Sequence, residues 1–379
     1  MKDIPKSALS FQESQPAQPS GLLAWLHIDI PLLTSLLLLA AIGLAVLYSA
    51  SDQQMAMVNK QMIRLGVGFV AMFLVAQIHP DHLRRWSPWL YMLGILMLLA
   101  VMLFGEEGKG AQRWLDLGLV RYQPSEMFKL TLPMVIAWFL ADQRLPPALP
   151  RLLVAGLMTL VPVLMIAKQP DLGTALLVGT AGAFALFLSG ISWYLISAVG
   201  LSLAALGPLA WYLMHDYQRQ RVLTFLNPES DPLGTGYHII QSKIAIGSGG
   251  IAGKGWLNGT QSHLEFLPER HTDFIFAVIS EEFGLIGVTA LLCLYLFIIL
   301  RGLYIATQAQ DTFGRILAGS LSMVFFVYLF VNAGMVSGLL PVVGVPLPLI
   351  SYGGTSLVTI LISFGILMSI HTHRKLLPT

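Results

Sequence analysis

Asp273 has the most chemistry to offer in this sequence. It closes the polar run Glu265-Phe266-Leu267-Pro268-Glu269-Arg270-His271-Thr272-Asp273, directly before an apolar stretch that opens at Phe274. A carboxylate at such a border is partly desolvated. That raises its pKa toward the range a general base needs near neutral pH. The same position suits a helix cap, because acidic residues favour helix starts. On the residues alone both readings stand. Glu281 and Glu282 follow two turns on, where each needs a partner or a water-filled cavity.

Three other clusters carry polar groups next to apolar runs. Lys109-Gly110-Ala111-Gln112-Arg113-Trp114-Leu115-Asp116 leads to Gln123-Pro124-Ser125-Glu126. Pro124 and Ser125 suit a helix opening. Glu126 and Lys129 are three apart and share a helix face, as a structural ion pair or as one wall of a polar groove. Lys168, Gln169 and Asp171 flank Pro170 between two apolar runs, and read as a turn or as part of an external polar site. The third cluster, Gly338 to Pro348 and then Ser351-Tyr352-Gly353-Gly354-Thr355-Ser356, is broken by prolines and glycines. Non-helical backbone at membrane depth must be buried in protein or line a cavity. A Ser-Tyr-Gly-Gly turn also lets a ligand approach the backbone closely.

The elements that position these residues are membrane helices. Of 379 residues, 55% are hydrophobic and 11% charged. A soluble domain carries about 25% charged residues, so this chain cannot cover a soluble surface. A helix needs about 20 mostly apolar residues to cross a bilayer. Ten segments approach this: 30–50, 62–78, 88–104, 127–141, 152–167, 171–190, 193–214, 273–300, 313–336 and 351–370. The fold class is an all-α polytopic membrane protein. It has a tail at 1–28, seven spans within 29–214, a large loop at 215–271, three spans within 272–370 and a tail at 371–379.

Lys and Arg in short connections set the orientation. Arg84, Arg85, Arg144, Arg151, Arg301 and Arg315 fall on one side with Arg374 and Lys375, which puts both termini in the cytoplasm. The 215–271 loop is then external. It holds Tyr217, Tyr237, Trp256 and Phe266, with a short amphipathic helix over 238–246 and a turn at Asn258-Gly259. Cys293 lies in an apolar run and reads as a core residue. A net charge of +2 gives no reason to expect a nucleic-acid partner. Phosphate-loop, dinucleotide and zinc-protease motifs are missing from the sequence, and no metal site is legible in it.

Five motifs together resemble the SEDS family (shape, elongation, division and sporulation proteins). They are Lys109-Gly110-Ala111-Gln112-Arg113-Trp114, Gln123-Pro124-Ser125-Glu126, Gln169-Pro170-Asp171-Leu172-Gly173-Thr174, Gly247-Ser248-Gly249-Gly250 and Ser351-Tyr352-Gly353-Gly354. Met214 to Arg221 and Phe266 to Phe274 are similar to the elongation members in Gram-negative rods.

The resemblance implies a ten-helix inner-membrane glycosyltransferase that polymerises lipid II into peptidoglycan strands on the periplasmic face. It implies a class B penicillin-binding protein as transpeptidase partner, alongside other proteins of the elongation complex. The family's essential aspartate matches Asp273, and its Glu and Lys on the fourth helix match Glu126 and Lys129. Inversion at the anomeric carbon then needs a base, for which Asp273 stands, and a neutralised pyrophosphate leaving group. Arg113, Lys129, Lys168, Arg219, Arg221 and Arg270 are the candidate cations, with a divalent ion, Mg or Mn, as the alternative. Gln169, Asp171 and Ser351 complete the groove candidates, and no organic cofactor is expected. Two rival readings are a lipid II flippase and a non-catalytic scaffold of the elongation complex. A flippase needs an inward-facing site as well, and the polar clusters all fall on the outer side.

Overall fold

The computed structural model describes residues 26–108, 111–116, 121–143, 145–214, 216–227, 235–263, 267 and 269–373. The chain is mostly helical. Among the described residues, seven helices are long and apolar enough to cross a membrane: α1 (Ile30–Ala50), α2 (Met55–Ala76), α3 (Pro80–Phe104), α5 (Leu149–Lys168), α12 (Ile275–Gln308), α13 (Thr312–Val336) and α14 (Thr355–Thr372). The other three expected spans fall on less regular elements. α4 (Pro124–Ala141) carries Glu126 and Lys129, and α6 (Leu172–Leu188) has 17 residues. The run from 193 is interrupted at Leu206, giving α7 (Trp193–Ala205) and α8 (Gly207–Leu213).

Helix starts follow local chemistry. Asp29, Asp171, Ser192 and Asp311 cap α1, α6, α7 and α13 through their side chains. Prolines occupy the first turns of α1, α3, α4 and α5, where a missing N–H costs nothing. α4 and α13 pack against each other in the middle of the bundle, with Phe128, Leu132 and Tyr328 fully enclosed. α2 lies along α14, and α12 packs against α1 and α13.

Asp29 ties three elements at one end. Its carboxylate accepts from Leu32 N at 2.9 Å, pairs with Arg301 of α12 at 2.6 Å and lies 2.8 Å from His371 of α14. Burial pushes this carboxyl up, but the hydrogen bonds from His371, Arg301 and Leu32 outweigh it and hold the group well below the usual carboxylate range. Arg301 sits inside α12, not in a connection. Cys293 is exposed on the outward side of α12. Against lipid, an apolar side chain has no drive to turn inward.

The all-α expectation omits a three-stranded antiparallel ribbon, β1 (Glu106–Gly108), β2 (Ala111–Asp116) and β3 (Arg121–Tyr122). Trp114 and Tyr122 suit a strand, but the segments are too short to show a period.

The large loop holds α9 (Asp216–Leu226), α10 (Thr235–Gly249) and α11 (Thr260–His263). α10 starts before 238 and runs through Gly247, stopping where Gly250 takes φ +56°. The turn expected at Asn258-Gly259 lies earlier, with Asn258 N bonded to Gly255 O at 3.1 Å.

α12 is not one straight span. Gly284 has φ 62° and ψ −162°, a conformation open essentially to glycine alone. The carbonyls of Glu281 and Glu282 accept from Lys254 N (3.0 Å) and Gly255 N (2.9 Å) of the loop. Leu285 N and Ile286 N donate to Gly250 O (3.0 Å) and Ile251 O (3.1 Å). The loop thereby satisfies the groups that the break exposes. The Glu281 side chain accepts from Lys254 Nζ (2.7 Å) and Gln261 N (2.9 Å), and Glu282 accepts from Ser49. Trp256 donates to Ala45 O at 3.1 Å. Both acids thus find partners through Oε1, while Oε2 of each is buried without a hydrogen-bond partner.

A Cβ at Gly284 would lie 2.3 Å from Gly253 N. Gly284→Ala is therefore expected to cost at least ~1–3 kcal/mol in backbone strain alone. A lower thermal midpoint of the purified protein checks this; an unchanged midpoint contradicts it.

Candidate functional site

Asp273 stands two residues before α12 and lines a cavity of about 330 Å³. Five elements meet there. β2 brings Arg113 and Trp114, the first turn of α4 brings Glu126 and Lys129, and the α5–α6 turn brings Asp171. The 343–346 connector and the start of α14 close the other side.

Arg113 donates from Nη2 to Pro170 O at 2.7 Å, and its Nε lies 3.9 Å from Asp171 Oδ2. That Nε is buried without a hydrogen-bond partner. Asp171 is held in turn. It accepts from Gln123 Nε2 at 2.9 Å and caps α6 through Thr174 N at 3.3 Å. Two motifs far apart in sequence thus build one wall.

The second wall is an ionic unit sealed between α4 and α13. Lys129 Nζ lies 2.6 Å from Glu126 Oε1 and also donates to the Tyr328 hydroxyl, which is 3.5 Å from Ser356 Oγ. The ammonium sits 4.8 Å from the centre of the Tyr328 ring. Glu126 and Lys129 are 5% and 4% exposed, so removing either leaves its partner buried and uncompensated. Glu126 Oε2 is buried without a hydrogen-bond partner.

Asp273 is set by its backbone. Three successive carbonyls are each taken by another element: His271 O by Tyr352 N (2.8 Å), Thr272 O by Ser351 Oγ (2.6 Å), and Asp273 O by Asn332 Nδ2 (2.9 Å). Asn332 is fully buried and also donates to Val345 O at 2.7 Å. Ser351 Oγ accepts from Leu347 N at 2.7 Å. The connector runs close to the acid, since a Cβ at Gly344 (φ +74°) would stand 3.5 Å from Asp273 Oδ2.

The cavity opens beside an apolar groove of about 850 Å³ between α2, α3, α4 and α14. Val67, Leu90, Leu130, Met134, Val358 and Ile362 line it, while Trp114, Gly354 and Thr355 belong to both spaces. Tyr122 of β3 also faces the groove; burial, with Glu126 nearby, raises its phenol and keeps it protonated.

The remaining sequence candidates lie elsewhere. Gln169 turns inward and donates to Leu98 O at 3.3 Å, because residues on either side of Pro170 point opposite ways. Lys168 is exposed at the end of α5, outside the cavity lining. Arg219 donates to Trp211 O (2.9 Å) and Tyr212 O (2.6 Å), satisfying carbonyls at the end of α8. Arg221 belongs to α9, and its side chain lies outside the described residues. Arg270 pairs with Asp52 of the α1–α2 connection and, with Glu269 and His271, lines a separate cavity of about 400 Å³. Ser351 touches the backbone on both sides of the acid's segment and is not itself in the cavity lining.

Tyr328 and Asn332 were not among the candidates, and Gln123 was named only within its motif, with no role. An amide in the apolar second half of α13 is the signal that marks Asn332. Tyr328 carries no comparable signal.

A bundle of long apolar helices that encloses a polar cavity beside an apolar groove defines a polytopic membrane protein. The chain belongs to the FtsW/RodA/SpoVE cell cycle proteins, the SEDS family, whose profile matches residues 29–376. It is 56% identical over 352 residues to the peptidoglycan glycosyltransferase MrdB of Escherichia coli, covering 93% of this chain and 95% of the relative. It superposes on a chain of a peptidoglycan synthase complex that coordinates polymerisation and crosslinking, with TM-score 0.80 and 32% identity over 92% of this chain and 98% of the other. The rod shape determining protein RodA of Thermus thermophilus matches with TM-score 0.70 and 27% identity over 93% and 99%.

Breaking a buried pair costs about 3–5 kcal/mol, whereas replacing both partners can be near neutral. Lys129→Met is thus expected to lower the thermal midpoint sharply, and Glu126→Gln/Lys129→Met to recover most of it. A double variant no more stable than Lys129→Met would contradict the pairing.

Proposed function

We propose that the chain is a peptidoglycan glycosyltransferase that polymerises lipid II into β-1,4 glycan strands at the outer face of the bacterial inner membrane during cell elongation. The reading is carried by one juxtaposition. A carboxylate and a cation share a cavity that opens onto a groove suited to a polyprenyl chain. The identity to MrdB supports the same activity.

Asp273 takes the proton from the 4-hydroxyl of the acceptor N-acetylglucosamine. That oxygen attacks the anomeric carbon of the donor. The bond from this carbon to pyrophosphate breaks, and its electron pair leaves with the polyprenyl pyrophosphate. The donor linkage is α and the product β, so base and leaving group work on opposite faces. Arg113 is the cation best placed to meet pyrophosphate, since its Nε is not engaged in a hydrogen bond. Lys129 is committed to Glu126 and Tyr328 and shapes the wall.

Glu126 Oε2, buried without a hydrogen-bond partner, and Asp171 in the same lining would be the ligands of a divalent cation, with substrate phosphates as the rest. Bound there, Mg or Mn would neutralise the leaving group. Among the described residues no cluster of three acidic, His or Cys side chains forms a metal site of its own. The crosslinking partner is a class B penicillin-binding protein, a reading that the synthase-complex relative supports. The full topology has ten spans with both termini cytoplasmic, which keeps Asp273 and its cavity on the outer side.

Asp273→Asn keeps the size and removes the base. Polymerisation of labelled lipid II, with the transpeptidase partner present, is expected to fall by ~100-fold or more at unchanged membrane abundance. Full-length ladders at wild-type rate would rule out the role.

A further inference from the structure

The Ser351–Gly354 turn that grips the Asp273 segment is itself held from α2. Gln61, 1% exposed, donates from Nε2 to Ser351 O at 3.1 Å, and its Oε1 accepts from Gly353 N at 3.4 Å. One amide side chain therefore takes an acceptor and a donor of the same turn. Nearly one helical turn further, Arg64 lays its guanidinium over the Tyr352 ring, 4.4 Å from the centroid, and reaches Gly353 O at 3.5 Å. Ser351 and Tyr352 then hold Thr272 O and His271 O. The path from α2 to the residue before Asp273 is two hydrogen bonds long.

α2 is also a wall of the apolar groove. Ile63, Arg64 and Val67 line it from one side, and Gly354 and Thr355, which follow the turn, line it from another. Arg64 thus belongs to both systems: its side chain borders the groove while its charged head rests on Tyr352.

We propose that Gln61 and Arg64 are positioning residues through which a polyprenyl chain in the groove sets the placement of Asp273. The proposal rests on the reading of the groove and of Asp273 given above. A chain packed along α2 presses on the Arg64 stem and fixes the Tyr352 ring beneath it. The turn is then held from both sides, and so is the backbone of residues 271–273. Binding energy from a part of the substrate that does not react is in this way spent on geometry at the part that does. Tail length then acts on kcat and not only on KM.

The test uses the full chain with its transpeptidase partner and lipid II carrying either an undecaprenyl or a geranylgeranyl tail. Wild type is expected to turn over the longer substrate with the higher kcat. Arg64→Met keeps an apolar stem and removes the head; Gln61→Met removes both contacts to the turn. Each is expected to bring kcat on the undecaprenyl substrate down to the short-tail value, a loss of up to roughly 100-fold for a displacement of about 1 Å. KM is expected to keep its dependence on tail length. Arg64 is only half-buried, so its variant tests the idea even where Gln61→Met does not fold. Two outcomes overturn the coupling alone: a wild-type tail effect confined to KM, or variants that lower kcat by the same factor on both substrates. Full activity in Asp273→Asn run alongside overturns the reading of the site itself, and the coupling with it.

Discussion

Backbone that leaves the helix at membrane depth must find partners inside the protein, because lipid offers none. Much of the half of this molecule around Asp273 answers that demand. The connector from Ser337 to Gly354 cannot pair with itself in a regular ladder. Its polar groups go instead to Asn332, to Ser351, to Gln61 and to the carbonyls ahead of α12. The same holds on the other side of α12, where the loop after α10 supplies N–H and C=O groups to the break at Gly284. Asp273 lies between these two repairs. Its backbone is held on both flanks, through the carbonyls of His271, Thr272 and Asp273 itself.

The polar clusters near the border of the apolar runs were legible because charge is rare in this chain. Asp273, Glu126, Lys129, Arg113 and Asp171 could be picked out one by one and do line one cavity. Their assembly was not legible. That Arg113 meets the α5–α6 turn, or that Gln123 meets Asp171, depends on packing between segments about 50 residues apart. Neighbours in sequence misled for the same reason. Lys168, Gln169 and Asp171 looked alike, yet the turn at Pro170 sends them to solvent, to α3 and to the cavity in that order.

The helices showed a similar division. Long apolar runs were plain, and Pro124 marked the start of α4, but Asp273 does not cap α12, and the caps at Asp29, Asp171, Ser192 and Asp311 went unread. The break in α12 was hidden, since a glycine in an apolar run usually marks close packing and gives no hint of φ +62°. The β-ribbon was hidden by its brevity. The separate fates of Arg219 and Arg270 were hidden because a charge near the surface can be absorbed by any exposed carbonyl or acid.

At the far end from the cavity, the His27 and His373 rings stack 3.8 Å apart, and His27 Nδ1 lies 3.1 Å from Thr372 Oγ1. The residues just before the first helix and just after the last therefore meet at a single doorway. A disturbance at either helix end is thus felt at the other, and this face of the bundle has one mooring point in place of two.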